Sequence, residues 1–312
     1  MNNIFSSIES SATTGGSTTT LSETTEVRDI ITPYFKLPDN AVVSDIKLYT
    51  ADYTALDEWS TDAAFTPAEG YGITINGKTV SVTGFDYAEN WVGTETAADG
   101  TVTYRGKKLI IEIPFVVEPD FLGGTSVVTN EEDSGIYEPP ASDTAIEHFE
   151  PQDVDVPLKD IETVVQDKHI YYGNTVDLID ILNLHVKDSQ SGKYLQDIAN
   201  GVNNAYVDLV YEVTLADQTV VTYTIPAGKL WNKGNWKDAA GNQLDMSALR
   251  LSEDTTYSVT CTMTDVKDKT KSKKHKRSAN MKIMPSAKTA NNAICQLSDL
   301  QFTAQIKIVA HW

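Results

Sequence analysis

Eight of the chain's 25 basic residues fall between Lys267 and Lys282: Lys267, Lys269, Lys271, Lys273, Lys274, Lys276, Arg277 and Lys282. One acid, Asp268, interrupts them, in a chain of formal charge −19. A run of this kind can contact polyanions such as teichoic acid, sulfated glycan or nucleic acid, with Lys271, Lys273, Lys274, Lys276 and Arg277 as the contact set. The competing reading is a solvated hairpin tip between strands at 256–266 and 279–284. It is favoured here because no aromatic side chains interleave with the charges to stack on bases. Trp231 and Trp236 stand in the polar segment KLWNKGNWK, 229–237. Exposed tryptophans there could stack on sugar rings while asparagines meet hydroxyls. Packing over the end of a sheet is the favoured use.

Reaction chemistry is thinner. His148, His169, His185, His275 and His311 are scattered, and no two sit at metal-ligand spacing. Asp188-Ser-Gln-Ser-Gly192 has its serines out of phase with an Asp-x-Ser-x-Ser cation site. Glu131, Glu132 and Asp133 offer carboxylates to calcium without EF-hand spacing, and read as a solvated acidic loop. The chain contains no nucleophile elbow, phosphate loop or dinucleotide fingerprint. The expectation is a non-enzyme with no cofactor and no metal. Cys261 and Cys295 leave one disulfide open, with two small buried hydrophobes the favoured alternative.

The elements that must position these residues read as β structure. With 312 residues, of which 40% are hydrophobic, roughly two domains are expected. The acidic balance is a poor match for nucleic acid. No apolar run approaches the ~18–20 residues of a membrane span, so no membrane insertion is expected. MNNIFSSIESSATTGG has neither a basic n-region nor an apolar core, and QFTAQIKIVAHW has no sorting motif. A surface protein of this sequence would therefore be a piece of a larger one or would rely on another chain for export.

KKLIIEIPFVV, 107–117, organises the first half. At period two, Leu109, Ile111, Ile113, Phe115 and Val117 share an apolar face, while Lys108, Ile110, Glu112, Pro114 and Val116 form a mixed one. Such a strand needs a second sheet over it. Asn76-Gly77 predicts a type I′ hairpin over 71–83, pairing Ile75 with Lys78 and Ile73 with Val80. Further strands are expected at 42–49, 161–165, 169–172, 206–215, 219–225 and 302–311. Short helices are expected at 1–10 and around 176–184. The predicted architecture is two tandem antiparallel β-sandwich, Ig-like or adhesin-like domains. Residues 1–26 form a helical or disordered lead and linker, 27–140 the first module, 141–152 a Pro-rich acidic linker, and 153–312 the second module.

Ordered strings carry a family resemblance: GFDYAENWVG (84–93), GKKLIIEIPF (106–115), FLGGTSVVTN (121–130) and SGIY (134–137). Together they resemble a module of large Gram-positive surface adhesins and pilin-like proteins. That family carries fimbrial isopeptide-type β-sandwich domains, often downstream of a von Willebrand factor A domain. MNNIFSSIES resembles the last helix of such an A domain, and 151–312 resemble the module that follows. The resemblance implies an extracellular, cell-wall location, a stalk or adhesive role, and a protein or glycan ligand on a host or cell surface. It also raises an intramolecular isopeptide bond, which needs a Lys amine, an Asn or Asp on a neighbouring strand, and a buried carboxyl to move the proton. By place in the motif, Asn130 matches the amide. Glu112 or Asp86 is the candidate carboxyl, and Lys47 or Lys36 the candidate amine. The family's Lys stands on the first strand, yet no Lys precedes Lys36 here, so no bond is expected in the first module. Two other readings remain: a carbohydrate-binding accessory module of a secreted glycoside-active enzyme, using Trp231 and Trp236, and a structural fibre or phage subunit.

Overall fold

A computed structural model of the chain describes residues 4–10, 25–56, 58–61, 66–87, 89–90, 92–138, 143–171, 185–231, 236–244 and 254–284. It is mainly β, in two compact units. Unit 1 comprises Met1–Leu158 with Gly201–Val207 and Asp265–Lys271; unit 2 comprises Lys159–Asn200, Asp208–Thr264 and Ser272–Trp312. The sequence reading opens the second module at Asp153. In the structure Asp153–Val156 pairs with Gly124–Val128, so unit 1 runs on to Leu158.

Unit 1 is a sandwich. Lys107–Val117 is central in a six-stranded sheet, between Ile4–Ser10 and Lys47–Ala55. Facing it is a five-stranded sheet in which Glu26–Ile30 lies between Thr79–Thr83 and Gly135–Tyr137. Leu109, Ile111, Ile113 and Phe115, all at most 1% exposed, pack in one core with Val27, Val80, Val82 and Ile136. The other face of the strand is mixed, as its sequence implies, with Glu112, Pro114 and Val116 half-buried. Ile110 and Lys108 are also buried, and the Lys108 ammonium lies 5.0 Å from the centre of the Trp59 ring.

Four local expectations need correction. The helix at 1–10 is a strand, Ile4–Ser10, paired in register from Ile4 with Phe115 to Ser10 with Leu109. Ile4 and Ile8 are four apart, a spacing shared by the helical period and the period of two, and the open edge of Lys107–Val117 decides for the strand. The strand expected at 42–49 starts at Lys47, after a 3-10 turn at Val43–Asp45, and continues to Ala55. The hairpin pairs Ile75 with Val80 and Ile73 with Val82, so the two loop residues are Gly77 and Lys78. Positive φ falls at Gly77 alone (φ 61°), the first central position, as a type II′ turn requires. The shift is by two, so the faces are unchanged. Finally, the second strand of the basic hairpin runs over Ser272–Met284 rather than starting at 279.

Unit 2 is built on a six-stranded sheet. Val207–Thr214 pairs with Val220–Ile225, and Thr255–Asp265 pairs with Ser272–Met284. One edge departs from the antiparallel expectation: Lys168–Tyr171 runs parallel to 281–284. The burial of Val207, Leu209, Tyr211 and Val213 against half-buried 208, 210, 212 and 214 follows the alternation in the sequence. The helix expected near 176–184, the strand at 302–311 and Cys295 lie outside the described residues.

Candidate functional site

A buried polar cluster joins the first strand of the five-stranded sheet to the 124–137 segment. Val27, Asp29 and Ile31 share the inward face of Glu26–Ile30 and its extension, so Asp29 enters the core at 2% exposure. Burial pushes its carboxyl up to about 7, against which the Ser134 hydroxyl, 3.3 Å away, acts only weakly. Ser134 also accepts from the Ile30 N–H at 2.9 Å. Next to it Asn130 forms a bridge with Ile31, and its Oδ1 accepts from the Gln152 N–H at 3.0 Å. Asn130 Nδ2 is buried without a hydrogen-bond partner among the described residues. Thr32 closes the seam, with its N–H on Thr129 O and its hydroxyl on Val128 O.

The residues proposed for a cross-link are divided between the sheets. Lys47 and Glu112 are directly opposite in the Lys47–Ala55 and Lys107–Val117 ladder, with Lys47 exposed and Glu112 half-buried. Asn130 belongs to the facing side, beside Ile31. Asp86 caps a turn, its Oδ1 accepting from the Glu89 N–H at 2.8 Å, and Lys36 pairs with Asp39. The strand on which the resemblance puts an amine presents the carboxyl of Asp29 inward instead. The sequence reading assigns Asp29 no role; the alternation Val27, Asp29, Ile31 is the signal that places it inward. Lys78 was overlooked too. Its Nζ reaches Glu118 at 2.8 Å and the carbonyls of Thr32, Pro33 and Phe35, holding the hairpin tip against the chain after the first strand.

The motifs of the resemblance pack rather than react. Phe85 and Tyr87 meet edge to face at 4.8 Å inside the core. Gly123 has φ 94°, and a Cβ there would lie 2.5 Å from Pro157 O. At Gly124 a Cβ would lie 2.4 Å from Tyr206 Cβ. Tyr206 in turn packs edge-on to Tyr34 at 5.3 Å, and its hydroxyl accepts from the Val128 N–H. Nearby, the fully buried Asp265 accepts from the N–H groups of Thr125, Lys267 and Asp268 at 2.6, 2.7 and 2.9 Å. Burial pushes this carboxyl up, and those hydrogen bonds outweigh it, leaving it below the ordinary range.

Of the polyanion set, Lys271 is held by Asp155 and Thr125, both at 2.9 Å, within unit 1. In unit 2, Lys273 pairs with Asp160 at 2.6 Å and Arg277 with Glu162 at 3.7 Å. Lys274 reaches Glu212 only at 4.0 Å, and Lys276 is exposed. Trp231 is half-buried and lies on Tyr223, centroids 4.5 Å apart, and edge-on to Tyr211. The backbone of Trp236 pairs with Tyr223, and its side chain lies outside the description. In the acidic run, the Glu131 carbonyl accepts from the Ser134 N–H and the Asp133 carbonyl from the Tyr137 hydroxyl. Among the described residues no group of three His, Cys, Asp or Glu side chains is placed to hold a metal ion. Cys261 is buried, with no disulfide partner among the described residues, and burial pushes its thiol up.

No family model matches the sequence, and no curated protein matches it. Among solved structures, a pilus 2b backbone protein of group B streptococcus is similar at 12% identity, over 88% of this chain and 84% of that one, with a TM-score of 0.27. A superposition that loose bears on no functional point. Among the described residues no helix is long and apolar enough to cross a membrane.

Proposed function

We propose that this chain is a non-catalytic part of a Gram-positive cell-surface adhesin or pilus-type stalk, outside the cell, where it supplies reach. The observation that supports this reading is how unit 1 fastens two of its strands, Glu26–Ile30 and Asp153–Val156. Glu26–Ile30 is hydrogen-bonded on both sides, and the 129–134 segment clasps its end through Asn130 and Ser134. Asp153–Val156 is in turn paired with Gly124–Val128. A module pulled through these strands must break ladders before it lengthens, which suits a load-bearing element. The clasp is made of hydrogen bonds, and the reading does not call for a Lys47–Asn130 cross-link.

Single-molecule pulling of the full chain tests it. Unit 1 is expected to give one cooperative rupture, at lower force in Ser134→Ala and Asn130→Ala. Gradual lengthening without a rupture would refute the load-bearing role. A tryptic map is expected to return the Lys47 and Asn130 peptides separately. A joined peptide lighter by one ammonia would replace the hydrogen-bonded clasp with a covalent one.

A further inference from the structure

Period two splits the basic strand of unit 2 into sets with different fates. The ladder sets Lys273 opposite Met263, His275 opposite Cys261 and Arg277 opposite Val259. Those three partners are fully buried, so this is the inner face, although Arg277 itself reaches out to solvent. Its charges are answered within the unit. Lys273 meets Asp160, Arg277 meets Glu162, and His275 Nδ1 accepts from the Thr163 N–H at 2.7 Å. The other set lies opposite hydroxyls: Ser272 with Thr264, Lys274 with Thr262, Lys276 with Thr260. Lys276 has no partner among the described residues, and Lys274 has only the 4.0 Å approach of Glu212.

The same outer face continues across the sheet. Glu212 is opposite Thr222 and Val210 opposite Thr224, and Thr222 is opposite Lys237 on the next strand. Lys237 and Lys282 are exposed at its margins, while Asp208 and Glu212 are the acids on Val207–Thr214 that share the face. The Asp208 carboxylate already accepts from the Ala227 N–H. Cationic side chains therefore exceed acids here, on a chain that is strongly acidic overall. Strands ~4.8 Å apart with like-facing residues ~7 Å apart give a flat lattice of hydroxyls, each both donor and acceptor. The tyrosines of Val207–Thr214, Val220–Ile225 and Thr255–Asp265, namely Tyr211, Tyr223 and Tyr257, are all on the buried face; among the described tyrosines of the sheet, Tyr171 is exposed, at the edge beside Met284.

We propose that this outer face binds a linear anionic glycan, with sulfate or phosphate esters at Lys274 and Lys276 and sugar hydroxyls at the half-buried Thr222 and Thr262; Thr260 is buried and takes no part. The proposal takes its extracellular setting from the surface-stalk reading, and names a ligand class and a site that reading lacks.

The test is titration of the full chain with four probes: a heparin oligosaccharide, polyglycerol phosphate, neutral dextran and single-stranded DNA. Binding is expected to one of the first two, the arm distinguishing sulfate from phosphate, and to weaken as salt rises. Lys274→Gln with Lys276→Gln should weaken it by about 30-fold, from roughly 1 kcal/mol per lysine near an anionic surface. Thr262→Val should weaken it several-fold with the salt dependence unchanged. Lys273→Gln with Arg277→Gln, on the inner face, should change it by less than about twofold, with circular dichroism confirming that each variant is folded. Failure of both anionic probes to bind overturns the proposal, as does an inner-face pair that costs as much as the outer one. DNA binding as tight as glycan, with Thr262→Val silent, reduces the face to bare charge and overturns the glycan assignment. A chain that ruptures cooperatively yet binds no anionic glycan refutes this inference alone.

Discussion

Asp29→Asn isolates the cost of a buried carboxyl in unit 1. The Asp29 carboxyl is raised from its ordinary 3.8 to about 7, with burial the first cause and no charged neighbour to offset it. Below pH ~4 the group is protonated in both folded and unfolded chains and costs nothing. Between pH ~4 and ~7 the unfolded chain releases the proton while the folded chain keeps it, so stability falls as pH rises through that window. The loss levels off above pH ~7, at about 1.4 kcal/mol for each of roughly three pH units, or about 4 kcal/mol. Asn has nearly the same shape and no charge, so the variant removes this slope and leaves every other titration in place. The difference in unfolding free energy between Asp29→Asn and the natural chain should be near zero at pH ~3, should favour the variant increasingly from pH ~4 to ~7, and should stay level above that. Hydrogen exchange read on peptides spanning 26–31 and 129–137 follows unit 1 specifically, and urea unfolding at each pH supplies the free energies. Parallel pH curves for the two proteins would refute the reasoning, because they would mean that Asp29 ionises as freely in the fold as in water.

Asp265→Asn has the opposite sign. Its carboxyl is held below 3.8 in the fold, so its contribution is present above that pH and lost as pH falls through the lowered value; the variant should be less stable at pH 7 and flatter in acid, by thermal melts at pH 2–7. Gly124→Ala forces a methyl to within 2.4 Å of Tyr206 Cβ and should cost unit 1 at least ~2 kcal/mol or prevent its folding, read by melting temperature. Ile111→Ala empties part of a core in which Ile111 is 1% exposed, and should cost ~2–5 kcal/mol by chemical unfolding. Trp231→Ala should lower the stability of unit 2 by ~3 kcal/mol through lost packing on Tyr223 and Tyr211; loss of sugar binding without loss of stability would return Trp231 to the role of a glycan platform.

Period-two alternation made much of the fold legible. Lys107–Val117, Val207–Thr214 and the 72–83 hairpin are where alternation and strand coincide. Ser272–Ala279 was hidden because Ser-Lys-Lys-His-Lys-Arg-Ser has no apolar residue to mark a buried face; the partner strand, with Tyr257, Val259, Cys261 and Met263 inward, supplies the core for both. The hairpin register was missed because Asn-Gly satisfies a type I′ turn as readily as Gly77-Lys78 satisfies a type II′ turn. Only the non-local anchoring of Lys78 on Glu118 and on carbonyls near Phe35 separates them. The clasp was out of reach for the same reason: Asn130 with Gln152, and Ser134 with Ile30, join residues 22 and 104 positions apart.

The resemblance and the chemistry point to different parts of the molecule, and packing explains why. The strings that carry the resemblance are places where backbone meets backbone or an aromatic ring fills the core. Gly123 lies against Pro157, Gly124 against Tyr206, and Gly135 where a Cβ would stand 2.2 Å from Glu147 O. Phe85, Tyr87, Phe121 and Ile136 are all in one core. Such sites tolerate few side chains, so they keep their pattern whatever the outer surfaces bind, and they testify to architecture rather than to ligand. What distinguishes this chain lies on surfaces the core does not constrain. Alternation along Ser272–Met284 turns Lys273 and Arg277 toward the unit's own acids and Lys274 and Lys276 toward a field of threonines. A one-residue slip would exchange these sets, leaving Asp160 and Glu162 without their cations and hiding the outward lysines. The buried partners Val259, Cys261 and Met263 hold the register against that slip, so the same core residues that stabilise unit 2 decide which of its charges face outward.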